Sequence, residues 1–258
     1  CIRDRLKEQA PTFHENVRTV DYDAVRTFKE PYLKEAFSNF TETEDFREFT
    51  RQPWVYEYAV FRAKKKANHK VCWNEWKEED KIWPEVPAPL PKEQEDEAAY
   101  QMFLQYEFYL QWMEVKRRAN ESGIQILSLI HISEPTRPEP DGRPVFIAGV
   151  PPDYFSATGQ RWGNPIYDWD YLKDHEYQFW IDRIGYNQKL FDIIRIDHFR
   201  AFDTFWKIPA SCPTAIEGEW IEAPGYEVID TLRAKIDGLN LVAEDLGELR
   251  PEVLQLKD

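Results

Sequence analysis

The stretch Phe191-Asp192-Ile193-Ile194-Arg195-Ile196-Asp197 decides the fold. It is short, apolar and β-branched, it follows a helical run from Tyr177 to Leu190, and it stops at a carboxylate. A second segment of the same kind, Leu239-Asn240-Leu241-Val242-Ala243-Glu244-Asp245, follows a helical stretch from about Gly225 to Asp237. Strand, helix, strand at this spacing predicts a parallel sheet. In barrels built that way, functional groups sit at the C-terminal ends of strands. Asp197 closes one segment and Glu244 the other, so neighbouring strands would aim two carboxyls into one cleft. Such a pair suits cleavage of a glycosidic bond, one group attacking or steadying the anomeric carbon and the other moving a proton. That chemistry needs the two pKa values pushed apart. Arg195 lies two residues before Asp197, on the same strand face, where its cation would hold Asp197 ionised. Asp197 is therefore the candidate nucleophile and Glu244 the candidate acid/base. Acidic residues at strand ends also cap helices or pair with surface arginines, and the pattern alone leaves both readings open.

Residues 1–122 read as mainly helical, with apolar positions three to four apart, as in Trp54-Val55-Tyr56-Glu57-Tyr58-Ala59-Val60-Phe61. Pro84, Pro87, Pro89 and Pro91 interrupt this half before a long helix to Asn120, and Gly123 supplies the stop. Residues 123–258 alternate strand and helix. The 258 residues carry 33 Lys+Arg against 47 Asp+Glu, a formal net charge of −14. That balance argues against nucleic acid or an anionic membrane as partner, and no apolar run reaches the roughly 20 residues needed to span a bilayer. Three cysteines, Cys1, Cys72 and Cys212, make no disulfide framework and fit a cytoplasmic protein. His69 and His131 show no metal spacing, so no metal is expected, and no Gly-rich nucleotide loop is present. Ten Trp, 13 Tyr and 16 Phe serve either a large core or platforms for sugar rings; Trp54, Trp73, Trp76, Trp112 and Trp206 read as packing. The run Lys64-Lys65-Lys66 reads as a solvated helix face. The chain opens at Cys1 and closes at Asp258 inside apparent helices, as an internal piece of a longer protein would.

The residues at the two carboxylates resemble glycoside hydrolase family 77, the 4-α-glucanotransferases, also called amylomaltases or disproportionating enzymes. The resemblance rests on Ile194-Arg195-Ile196-Asp197-His198-Phe199-Arg200, Phe205-Trp206-Lys207-Ile208-Pro209 and Ala243-Glu244-Asp245-Leu246-Gly247. Upstream, Ala148-Gly149-Val150-Pro151-Pro152-Asp153-Tyr154-Phe155-Ser156 and Gly159-Gln160-Arg161-Trp162-Gly163-Asn164-Pro165 match that family's most characteristic loop. It implies a partial (β/α)8 barrel with a mainly helical insertion, and retaining transfer of glucan segments between malto-oligosaccharides and other α-1,4-glucans without a cofactor. Asp197 then aligns with the nucleophile and Glu244 with the acid/base. Arg195 and His198 align with residues beside the donor sugar. Asp153, Tyr154 and Phe155, with Trp162 close behind, fall in a cover over the acceptor side, whose aromatic faces would favour a sugar hydroxyl over water. The competing readings are an α-amylase-like hydrolase and a non-catalytic glucan-binding protein.

One segment departs from the resemblance. After Gly123-Ile124-Gln125-Ile126 the family presents a strand of the form Gly-Asp-apolar-Pro-Ile, then an aspartate and a tryptophan that bind donor glucose. Here Leu127-Ser128-Leu129-Ile130-His131-Ile132-Ser133-Glu134-Pro135-Thr136-Arg137 stands instead. Those residues are the translation of a widely used transposase sequencing adapter, so 127–137 reads as a remnant joined into the sequence, with a barrel strand lost or replaced by an apolar stand-in. The family's third carboxylate would lie beyond Asp258 and its first strands before Cys1. Resequencing the source locus is expected to return reads that lack residues 127–137; reads crossing the run cleanly would show it to be genuine.

Overall fold

The computed structural model describes residues 4, 8–10, 20–81, 89–131, 143–244 and 251–257. The chain divides into two compact units, 1–111 and 112–258. In the first, helices α1 (Tyr22–Ser38), α2 (Glu44–Thr50), α3 (Pro53–Ala67) and the short α4 (Glu78–Lys81) precede the long α5 (Lys92–Glu121), whose last turns belong to the second unit. Caps follow the sequence closely. Asp21 accepts the Ala24 amide at 2.9 Å and Thr43 the Phe46 amide at 3.2 Å, while Pro53 opens α3 where no N–H is needed. The core here is aromatic: Phe46, Phe49 and Tyr106 are buried around Val55, with Phe46 and Tyr106 edge to face at 5.3 Å. Trp54 joins this cluster and Trp76 is buried, whereas Trp73 stays partly exposed.

The Lys64-Lys65-Lys66 run is not uniformly solvated, contrary to its sequence reading. Lys64 is 8% exposed and reaches the Asp80 carboxylate at 3.7 Å, because its position on α3 faces the α4 turn. Lys66 pairs with Glu97.

In the second unit, β1 (Leu127–His131), β4 (Ile193–Asp197) and β7 (Leu241–Ala243) form a parallel sheet in the order β1-β4-β7. A second, antiparallel sheet has the order β3-β2-β5-β6, from β2 (Phe146–Val150), β3 (Gln160–Pro165), β5 (Thr204–Pro209) and β6 (Glu219–Glu222). The parallel pair is the one that the segment spacing predicts; the antiparallel sheet carries no clear sequence signal, since β3 is mostly exposed and contains Gly163 and ends on Pro165. Gly149 is required in β2, because a Cβ there would stand 2.3 Å from the Gln160 carbonyl oxygen. Helices α6 (Trp169–Asp174), α7 (Gln178–Leu190), α8 (Gly225–Lys235) and α9 (Pro251–Lys257) complete the unit. Its core collects Trp180 and Ile184 from α7, Ile194 and Ile196 from β4, Phe202, and Val228 and Leu232 from α8. Trp112 and Trp206 end on hydrogen bonds to the Leu190 and Ala215 carbonyls, as packing tryptophans do.

The adapter-like segment supplies strand β1 through His131, and residues 132–137 lie outside the described residues. Its register is set from outside: the Asp192 carboxylate accepts the Ile126 amide at 2.7 Å, and the Ile126 carbonyl accepts the amides of Asp192 and Ile193. Leu127 to His131 then lie beside Ile193 to Asp197. Ser128 turns into the core with no hydrogen-bond partner for its hydroxyl. Replacing it by alanine removes an uncompensated desolvation, so Ser128→Ala is expected to raise stability by about 1 kcal/mol in urea unfolding. Destabilisation of that size would mean the hydroxyl is satisfied.

Candidate active site

Strand β4 alternates, with Ile194 and Ile196 in the core and Arg195 and Asp197 on the opposite face. β7 runs beside it from Ile194 opposite Leu241 to Ile196 opposite Ala243, and the Glu244 amide donates to the Ile196 carbonyl at 3.0 Å. The ladder is thereby carried one step past the strand, and Asp197 and Glu244 stand side by side at the C-terminal edge of the sheet.

One guanidinium nitrogen touches both carboxyls. Arg195 Nη2 lies 2.8 Å from Glu244 Oε1 and 3.8 Å from Asp197 Oδ1. The sequence reading gave this cation to Asp197; the shorter contact is to Glu244. The register explains it: Arg195 sits opposite Val242, so Glu244 is its diagonal neighbour along the strand, within reach of a long side chain. Glu244 Oε2 also accepts the His198 backbone amide at 2.7 Å. That amide is aimed by a left-handed residue, His198 at φ 53°, an uncommon conformation outside glycine. Burial pushes the Glu244 carboxyl up, but hydrogen bonds from the His198 amide, Asp197 and Arg195 outweigh it and hold the group below its ordinary 4.5.

Trp162 joins the group through His198, their rings edge to face at 5.0 Å, and its indole N–H donates to Gln160 at 3.2 Å. Both rings line a small apolar crevice with Tyr167, Trp169 and Phe205. The remaining predicted residues, Asp153, Tyr154 and Phe155, sit in the loop between β2 and β3. Asp153 accepts the amides of Phe155 and Ser156 at 2.9 and 2.7 Å, so its carboxylate shapes its own loop. Tyr154 and Phe155 are 97% and 90% exposed, their rings packed on each other at 5.6 Å. Among the described residues no contact ties either ring to Asp197 or Glu244. Sequence reasoning missed the His198 amide, since a left-handed histidine leaves no compositional trace. It missed the stacking of Arg200 over Trp220 at 4.4 Å for a similar reason: the two are twenty residues apart and only the hairpin brings them together. Among the described residues, no set of three His, Cys, Asp or Glu side chains is placed to hold a metal ion, and no helix is long and apolar enough to cross a membrane.

A profile of glycoside hydrolase family 77, described as 4-alpha-glucanotransferase, matches residues 2–258. The chain belongs to the 4-alpha-glucanotransferase family. It is 41% identical over 264 residues to the 4-alpha-glucanotransferase of Thermus thermophilus, covering 93% of this chain and 52% of that protein. It is 40% identical to the one from Synechocystis sp., covering 98% and 54%. Among solved structures, the amylomaltase from Streptococcus agalactiae in complex with acarbose superposes with a TM-score of 0.78 at 33% identity, over 92% of this chain and 52% of that one. Amylomaltase from Corynebacterium glutamicum shares the mixed α/β fold at a TM-score of 0.75 and 19% identity, over 99% and 37%. The chain thus spans about half the length of the curated relatives it matches.

The depressed Glu244 pKa gives this family member an acid-labile contact. Above pH 4.5 the carboxylate is ionised in folded and unfolded chains alike and its contacts stabilise fully; as pH falls through the lower folded value, that contribution is lost. Thermal unfolding from neutral pH downward is expected to show a steeper acid-side fall in Tm for the parent than for Glu244→Gln. Equal slopes would show that the pair carries no pH-linked stability.

Proposed function

We propose that the protein containing this chain is a retaining 4-α-glucanotransferase that cuts an α-1,4 link in a malto-oligosaccharide and passes the glucosyl segment to the 4-hydroxyl of another glucan. One observation carries the reading: Asp197 and Glu244 stand side by side on parallel strands within reach of a single Arg195 nitrogen. In the proposed mechanism Asp197 attacks the anomeric carbon while Glu244 protonates the departing oxygen, leaving a covalent glucosyl-enzyme. Glu244 then takes the proton of the incoming hydroxyl as it displaces Asp197, and two inversions restore the configuration. No cofactor is required, because the bond made replaces a bond of the same kind. The first step needs Asp197 ionised and Glu244 protonated, whereas Arg195 here lies closer to Glu244 and helps to hold its carboxyl below the ordinary value. We infer that sugar entering between the carboxyls moves the Arg195 guanidinium toward Asp197, a shift of the 2.8 and 3.8 Å contacts within one side chain's range.

Trp162 and His198 would form a wall of the donor side, and the loop bearing Asp153, Tyr154 and Phe155 would close over the acceptor, its two exposed rings covering sugar and excluding water. The parallel sheet and its helices are read as part of a (β/α)8 barrel, with residues 1–122 a mainly helical insertion and 127–137 a foreign stand-in for one strand. Malto-oligosaccharides and α-1,4-glucans are the proposed partners, a reading the acarbose-bound relative supports. The net charge of −14 speaks against nucleic acid, and the free Cys72 and Cys212 suit a cytoplasmic setting.

The test is product analysis on maltotriose with the full-length protein. Glucose together with longer oligosaccharides is expected, and Asp197→Asn is expected to lower the rate by about 10³-fold or more while leaving glucan binding. Shorter sugars alone would make the protein a hydrolase; binding with no turnover in the parent would make it a non-catalytic glucan-binding protein.

A further inference from the structure

The first unit contains a feature that the glucan chemistry does not use. A cleft of about 730 Å³ opens between α1 and α3, with Glu97 of α5 also in its lining. Helix α1 presents Arg26 and Lys34 to it, one above the other with Glu30 between. Helix α3 presents Arg62, Lys65 and Lys66, and Lys70 follows from the turn beyond its end. That turn is left-handed at both His69 and Lys70, with φ of 57° and 63°, and the Lys70 amide bonds back to the Lys65 carbonyl at 2.8 Å. The chain therefore doubles back at the end of α3 and brings Lys70 to the same opening.

The charges do not cancel. Lys66 pairs with Glu97 and Lys34 lies 3.7 Å from Glu30, while Arg26 is held by Asp23 on its own helix. Arg62, Lys65 and Lys70 have no ion pair among the described residues. The Arg62 guanidinium and the Lys65 ammonium lie over the Tyr58 and Phe61 rings at 6.0 and 5.9 Å, contacts that hold the two cations in place at the cleft without neutralising their charge. In a chain of net charge −14, a cleft with an excess of cations is a local reversal of field that focuses small anions. The lining holds no aromatic ring on which a sugar could stack. Mostly lysine ammonium groups on flexible stems, with arginine forks at two points, are instead the donors that phosphate oxygens take. Its volume lies within the roughly 300–1,000 Å³ typical of small-molecule sites. A long polyanion would meet repulsion from the rest of the chain.

We propose that this cleft binds a small ligand carrying two or more phosphate groups, held by Arg62, Lys65 and Lys70 with Arg26 and Lys34 opposite. The proposal is independent of the glucan reading, because every residue in it belongs to the first unit and none to the carboxylate site. It is tested by isothermal titration of the full-length protein with inorganic tripolyphosphate and, separately, with glucose 1,6-bisphosphate, at an ionic strength fixed with sodium chloride. Saturable binding is expected, weakened about tenfold or more in Lys65→Gln/Lys70→Gln and also in Arg62→Gln, with maltotriose turnover unchanged. Tighter binding of the bisphosphate would identify a phosphorylated sugar as the source, and tighter binding of tripolyphosphate an inorganic or nucleotide polyphosphate; either supports the site. No saturable heat, or binding that both variants keep at parental strength, would overturn it.

Discussion

The second unit hangs on one half-buried carboxylate. Asp192 accepts the Ile126 amide and the Asn120 side-chain amide at 2.7 and 2.8 Å, with the Lys116 ammonium 3.5 Å away. Burial alone would raise its pKa, yet these donors hold it below its ordinary value, so the group is a charge kept charged by its surroundings. Its backbone finishes the tie: the Asp192 amide donates to the Ile126 carbonyl, and its carbonyl accepts from Asn240 at 3.3 Å. The end of a long helix and the first residues of three parallel strands thus meet at one residue. Since a parallel ladder has no hairpin to set its register, such a knot at the strand entrances has to do so. Everything at the opposite ends, where Asp197 and Glu244 stand, inherits its position from it.

That inheritance explains how the adapter-like segment takes a strand position. Ile126, before it, is clamped by Asp192. Leu127 to His131 need then supply only backbone groups for β4 and an apolar inner face, which Ile130 provides. Ser128 is where the fit fails, a hydroxyl placed where the core offers it nothing. The geometry of the strand is determined by its neighbours, and its sequence shows in the defect.

How much of this could be read from the residues differs by element. The parallel pair β4 and β7 announced itself through β-branched runs each ending on a carboxylate, and the long helix α5 through its period and Gly123, whose φ of 74° confirms the stop. The antiparallel sheet was hidden because β3 is mostly exposed and carries Gly163 and Pro165, so it lacks the apolar alternation that marks a strand in sequence. Asp197 and Glu244 were legible as a pair, since strand ends are a sequence property. Which of them Arg195 favours was not, because that depends on a cross-strand diagonal. The lysine run after Phe61 illustrates the same limit: identical neighbours take separate fates, Lys64 buried against Asp80 and Lys65 facing a cleft, according to a helical angle of about 100° per residue.

Strand β1 has one further consequence, for the behaviour of many copies rather than one. It is an edge of its sheet among the described residues, and Leu127 and Leu129 point outward, 49% and 62% exposed. Nothing within Leu127–His131 supplies the lysine, proline or bulge that edge strands use to refuse a partner. Between copies of these 258 residues, repulsion at a net charge of −14 opposes such pairing. Salt shortens the reach of that repulsion to about 8 Å at physiological strength without weakening the apolar attraction, so colloidal stability here declines as ionic strength rises.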